Sequence, residues 1–307
     1  MRIASFFAAH GKSGAQSARP PAQTSKATLR RNRGASTLTI EDCRLPGDRA
    51  GQRRDQGSHD LGVVYSKRMV QMAAQPNRYI PAHVDDFRYS LPKFADRLKG
   101  SGSIKIVAIG SSSTEGEGDI VPYTYRLQTS LRAKYPNRMI DVLNRGIRGQ
   151  EAPEELARMP DDVIAEAASL AIWQVGTNAV WQLDRDLDDV ATDIEKGLKL
   201  LRGEAMDIVL MDLQYAPALL TEDKIAATRR MLSLIDQLAA AAKVNVFHRF
   251  DMMRKFIDDE RHSFDTTIDP ADTDRLHQSD FSARRIGYEF CEAIAAATVR
   301  GGQAPAA

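Results

Sequence analysis

From about Asp85 onward the chain alternates short β-forming runs with longer runs whose apolar residues recur every three or four positions, and few architectures accommodate that rhythm. The runs Lys105 to Ile109, Met139 to Leu143, Leu170 to Val175, Asp207 to Leu213 and Val244 to Phe250 predict five strands. Between the first two, Tyr123, Leu127, Leu131 and Tyr135 share one helical face. Leu187, Val190, Ile194, Leu198 and Leu201 do so between the third and fourth, and Ile225 to Ala242 between the fourth and fifth. A closing helix is expected from Ser282 to Val299. Strands separated by helices pair in parallel through right-handed crossovers, because a tight turn cannot return the chain to the same end of the sheet. The expected fold is therefore α/β, a three-layer doubly wound sheet of about five parallel strands with helices on both faces.

The domain is expected over residues 104–300, behind an N-terminal extension, 63–103, with a helix near 85–98. Residues 1–62 read as a disordered tail, since they are rich in Ser, Ala, Gln, Gly, Pro and Arg without apolar periodicity and cannot bury enough surface to offset their ordering entropy. Residues 301–307 read the same way. The basic charge is concentrated in the first tail: Met1 to Leu61 carries about 11 Lys and Arg against about 5 acids, whereas the whole chain has a net charge of +1. Nothing in that balance calls for a nucleic-acid partner. The opening Met1-Arg2 and Ile3 to Ala9 faintly resemble a signal peptide, but the apolar stretch is short and runs into His10, Gly11 and Lys12 without a cleavage site. A start at Met69 fits the pattern equally. A cytoplasmic location is favoured over a periplasmic or secreted one. Cys43 and Cys291 are too few for a disulfide framework or a zinc cluster, and no run is long and apolar enough to span a bilayer.

Four short patterns could carry chemistry. Ile106 to Gly116, I-V-A-I-G-S-S-S-T-E-G, is an apolar strand ending in a tight turn, which would set a serine at the carboxyl end of the sheet beside helix N-terminal amides. The same letters also read as a plain turn in which Ser113 or Thr114 caps a helix. A phosphate loop on Gly110, Gly116 and Gly118 lacks the Lys-Ser/Thr pair that would hold phosphates. Asn144 to Gln150 follows the second strand, where glycines let the backbone turn and expose an N–H. Trp173 to Asn178 ends the third strand with an amide that can face a developing oxyanion or simply serve a turn. Asp274-Arg275-Leu276-His277 sets a carboxylate three residues before an imidazole, the relation a general base requires, although a solvated loop is the plainer reading beside Asp269, Asp272 and Asp280. His248 falls in the fifth strand and His262 in a charged loop. No two histidines have metal-ligand spacing.

In this order, the four patterns resemble the blocks of the SGNH hydrolase superfamily, also called the GDSL esterases. The first block, G-D-S-x-T-x-G, matches Gly110 to Gly116 and selects Ser112 as nucleophile, with Ser111 where Asp is usual. The second-block glycine aligns with Gly149, the third-block G-x-N with Gly176-Thr177-Asn178, followed by Ala179 where Asp is common, and the last-block D-x-x-H with Asp274 and His277. The resemblance covers roughly Ile104 to Val299 and implies a flavodoxin-like sheet. It further implies a Ser112, His277, Asp274 triad, an oxyanion hole of the Ser112 and Gly149 N–H groups with the Asn178 side chain, and no metal or organic cofactor. The implied reaction is hydrolysis of an acyl or acetyl ester of a small molecule, carbohydrate or lipid, with an acyltransferase or a non-catalytic binding module as alternatives. Trp173, Trp181 and Tyr215 could line a substrate site or belong to the core, and Arg145 and Arg148 could meet an acidic substrate or be solvated. Oligomeric state is not legible.

Overall fold

A computed structural model describes residues 87–301, so the expected tail at 1–62, most of the extension at 63–86, and all of the expected 301–307 tail except Gly301, which ends the closing helix, lie outside the described residues. Five parallel strands form one sheet: β1 (Ile104–Gly110), β2 (Ile140–Gly146), β3 (Leu170–Gln174), β4 (Asp207–Met211) and β5 (Asn245–Phe247), in the order β2-β1-β3-β4-β5. All neighbours run parallel, with Gly110 opposite Gly146 and Ile109 opposite Trp173.

Alternate residues of each strand enter opposite cores, as the two-residue period of a strand requires. Val107, Ile109, Ala171, Trp173, Ile208 and Leu210 face one side. There they meet Met159 of α4 (Ala152–Met159), Ile194 and Leu198 of α6 (Leu187–Arg202), and Met231 and Ile235 of α7 (Ile225–Ala242). Ile104, Ile106, Ala108, Ile172 and Val209 face the other. They pack on Phe94 of α1 (Pro92–Lys99), Leu127 and Leu131 of α3 (Tyr123–Lys134), Met253 of α8 (Arg249–Asp258), and Ile286 and Phe290 of α10 (Asp280–Gly301). Three further short helices are α2 (Ser112–Glu115), α5 (Thr177–Gln182) and α9 (Phe264–Thr267).

Two expectations need correction. The helix near 85–98 begins only at Pro92, whose fixed φ suits the first helical position, and among residues 87–91 a bend falls at Arg88 and Tyr89. The fifth strand stops at Phe247 instead of Phe250, because two tertiary contacts start a helix there. The Asp212 carboxylate accepts from the Phe250 amide at 2.9 Å, and the Arg249 side chain is wholly buried on the Asp212 carbonyl.

The strand order places a switch point between β1 and β3: the chain leaves β1 toward β2 on one side and continues from β3 toward β4 on the other. In open parallel sheets the loops after two such strands diverge, and ligands bind at the carboxyl ends beside this point. Ser112 follows β1, and Asn178 follows β3.

Candidate active site

The turn after β1 is held from below. Gln174, the last residue of β3 and 1% exposed, accepts on Oε1 from the Ser111 amide (3.0 Å), the Ser111 hydroxyl (3.1 Å) and the Thr114 hydroxyl (3.3 Å). Ser111 thus ties the turn to the neighbouring strand, and α2 begins at Ser112 itself, earlier than a cap at Ser113 or Thr114 would have it. On the other flank Asn144 of β2 donates to the carbonyls of Thr114 and Glu115. Gly146 lies so close that a Cβ there would stand 2.1 Å from the Glu115 nitrogen.

Ser112 Oγ lies 3.0 Å from His277 Nε2, although 165 residues separate them. His277 sits in a loop closed by an antiparallel bridge between Ile268 and Gln278, and its Nδ1 is 3.0 Å from Asp272 Oδ2. Here the structure departs from the D-x-x-H reading: Asp272, not Asp274, meets the imidazole. The loop wraps around the Asp272 carboxylate, which accepts the backbone amides of Asp274 (3.1 Å), Leu276 (2.8 Å) and His277 (2.7 Å). Arg275 takes the left-handed conformation (φ 56°), which breaks the single helical turn that would bring residue 274 under residue 277. The Asp274 side chain is left exposed. Burial opposes ionisation of Asp272, but the three amides and the imidazole outweigh it and hold the carboxyl below its usual range.

Gly149 has φ +76°, a conformation that favours glycine, and lies in the exposed loop after β2. Arg158 of α4 fastens that loop to β1 by donating to the Gly110 carbonyl (3.1 Å) and to Gln150 Oε1 (2.6 Å). The Asn178 amide donates one N–H to the Gln150 carbonyl at 2.9 Å. A primary amide carries two donors, so the second remains for another acceptor. Asn178 is therefore held by the Gly149 loop, with Ala179 following it.

The remaining candidates separate cleanly. Trp173 is fully buried and donates to Glu155 at 2.7 Å, so it is core. Tyr215 is half-buried and stacks on Phe264, and Trp181 carries the Lys224 ammonium 3.9 Å above its ring. Arg145 pairs with Glu166, while Arg148 pairs with Glu115 and Glu117. His248 lies beside Asp212 and Asp236. Asp272, Gln174, Arg158 and the buried Arg249 and Gln278 escaped the sequence reading. Only Asp272 left a signal, as one of several acids before His277.

Among the described residues no three His, Cys, Asp or Glu side chains converge as a metal ion would require, and no helix is long and apolar enough to cross a membrane.

The non-GDSL lipase-like family matches residues 79–299. The chain belongs to that family. Its fold is shared with Axe2, an acetylxylan esterase from Geobacillus stearothermophilus, at 20% identity and a TM-score of 0.54 over 63% of this chain and 95% of that one. It is shared also with LAE5, an alpha/beta hydrolase from the metagenome of Lake Arreo, at 18% identity and TM-score 0.52, over 67% of this chain and all (100%) of that one. A third is a G-D-S-L family protein from Desulfitobacterium hafniense, at 17% identity and TM-score 0.51, over 62% and 99% of the two chains. Curated proteins include no match. The family match places the chain among the non-GDSL lipase-like proteins, and the solved structures share its α/β fold.

Proposed function

We propose that the protein is a serine esterase working through Ser112, His277 and Asp272. One observation carries the reading: an unbroken relay from Ser112 Oγ to His277 Nε2 and from His277 Nδ1 to Asp272 Oδ2, both links 3.0 Å long. An ionised Asp272 can only accept, so it selects the tautomer with the proton on Nδ1 and leaves the Nε2 lone pair facing the hydroxyl. As Ser112 Oγ attacks the ester carbonyl, His277 takes its proton and then gives it to the departing alkoxide. Water repeats the sequence on the acyl-enzyme, releasing the acid and restoring Ser112. The developing oxyanion would be met by the Ser112 amide at the start of α2, the Gly149 amide and the second N–H of Asn178.

Because Arg145 and Arg148 are engaged by acids, a neutral ester suits this mouth better than an acidic one. An acetylated carbohydrate is the first substrate to test, as Axe2 is named for acetylxylan and shares the fold over most of its length. The experiment is hydrolysis of p-nitrophenyl acetate and of acetylated xylooligosaccharide, with labelling by a fluorophosphonate. Wild-type protein is expected to hydrolyse and to label once, and Ser112→Ala to do neither while keeping its circular dichroism. Labelling that persists in Ser112→Ala would overturn the assignment.

A further inference from the structure

Ser112 and His277 come from chain segments far apart, so their 3.0 Å contact depends on what joins those segments. The residues immediately beside them provide a direct tie. Gln278 follows His277, Ser113 follows Ser112, and Gln278 Nε2 donates to the Ser113 carbonyl at 3.2 Å. On the other side of the base, the Leu276 carbonyl accepts from Gln214 Nε2 at 3.2 Å.

Both glutamine amides are oriented by one cation. Arg249 is 0% exposed at the start of α8, and its guanidinium donates to Gln214 Oε1 at 2.7 Å and to Gln278 Oε1 at 3.5 Å. A guanidinium has no acceptor, so it holds each amide with oxygen inward and nitrogen outward, toward the carbonyls that flank the site. Arg249 is itself anchored on the Asp212 carbonyl at the end of β4, through Nε (3.1 Å) and Nη2 (2.8 Å). The network reaches the third segment too, since Thr177, the residue before Asn178, donates to Gln214 Oε1 at 3.0 Å.

We propose that Arg249, acting through the side-chain amides of Gln214 and Gln278, is a positioning centre that sets the His277 imidazole against Ser112. The inference rests on the esterase reading above. None of the three side chains touches the reacting atoms: the two amides act through backbone carbonyls beside His277 and Ser112, and Arg249 acts through the amides. Such a device changes the rate of the chemical step and leaves substrate affinity alone, because the ester contacts neither the arginine nor the amides.

Gln278 offers the sharpest test. Gln278→Glu keeps the size and gains an ion pair with Arg249, yet has no donor for the Ser113 carbonyl at neutral pH. Gln278→Met keeps the length and loses both bonds. In p-nitrophenyl acetate hydrolysis each variant is expected to lose about tenfold to a hundredfold in kcat, the scale of a misplaced catalytic group, with KM within about twofold. Fluorophosphonate labelling of Ser112 should slow in parallel. Melting curves establish that each variant is folded, and Gln278→Glu, with its charge paired, serves should the methionine variant not fold. Wild-type kcat in folded Gln278→Glu would overturn the proposal, and so would a raised KM at unchanged kcat. If wild-type protein itself fails to label, the esterase reading falls first, before any variant is compared.

Discussion

Replacing Gly146 by alanine adds one methyl group where β2 backs the helix that carries Ser112. Its Cβ would stand 2.1 Å from the Glu115 nitrogen, 2.6 Å from Glu115 Cα and 2.7 Å from the Thr114 carbonyl carbon. All three are backbone atoms, and comfortable non-bonded contact begins at about 3.5 Å, so one element must yield by roughly 1 Å. β2 is held in place by its ladder with β1, and the Gly146 amide donates to Asn144 Oδ1 at 2.9 Å. The displacement therefore falls on α2 and moves Ser112 relative to His277. An error of that size costs on the order of a hundredfold in turnover, and overpacking costs about 1–3 kcal/mol of stability. At about 2–4 °C per kcal/mol for a domain of this size, the melting temperature should fall by about 2–12 °C and leave the variant folded at 25 °C. The assay is kcat for p-nitrophenyl acetate beside a thermal melt. Gly102→Ala, with nothing within 4 Å of the new carbon, is the control and should behave as wild type. A folded Gly146→Ala variant with kcat within about threefold of wild type would refute the claim that this contact positions the nucleophile.

Asp272→Asn should lower kcat by about a thousandfold to ten-thousandfold by favouring the wrong imidazole tautomer, whereas Asp274→Asn, altering an exposed side chain, should stay within about twofold; steady-state kinetics of the pair decide between the carboxylates. Asn178→Ala should cost on the order of 100-fold in kcat with little change in KM, read from full saturation curves. Glu155 is fully buried, and burial pushes its carboxyl up to about 8 despite the Trp173 N–H that lowers it. Its folded pKa lies above the unfolded value, so folding takes up a proton and the stability this group contributes, full below the unfolded value, declines as pH rises toward about 8. Glu155→Gln removes that decline: in denaturant melts its stability relative to wild type should grow by ~1.4 kcal/mol per pH unit between about pH 5 and pH 8. A difference that stays constant across that range would show that Glu155 is not protonated in the folded protein.

The strands and long helices were legible because their signals are periodic and local. Leu187 to Leu201 and Ile225 to Ala242 form the helices their spacing predicts, and all five strands begin within one residue of expectation. The short helices at Ala152–Met159 and Arg249–Asp258 were not anticipated. The second owes its start to Asp212 and to the burial of Arg249, contacts with another strand that no window of local sequence contains.

The same division runs through the site. The order of elements and the turn chemistry at Gly110 to Gly116, Gly149 and Gly176 to Asn178 follow from the sequence, since each depends on residues adjacent in the chain. Which carboxylate meets His277 does not: Asp274 has the helical spacing, but a left-handed Arg275 and three amides gathered on one carboxylate bring Asp272 to the imidazole instead. Arg249, Gln214 and Gln278 likewise acquire meaning only when β4, α5, α8 and the histidine loop meet beneath the nucleophile. Periodicity is a property of neighbours along the chain, whereas a hydrogen bond such as that from Gln278 to Ser113, across 165 residues, is a property of the folded molecule.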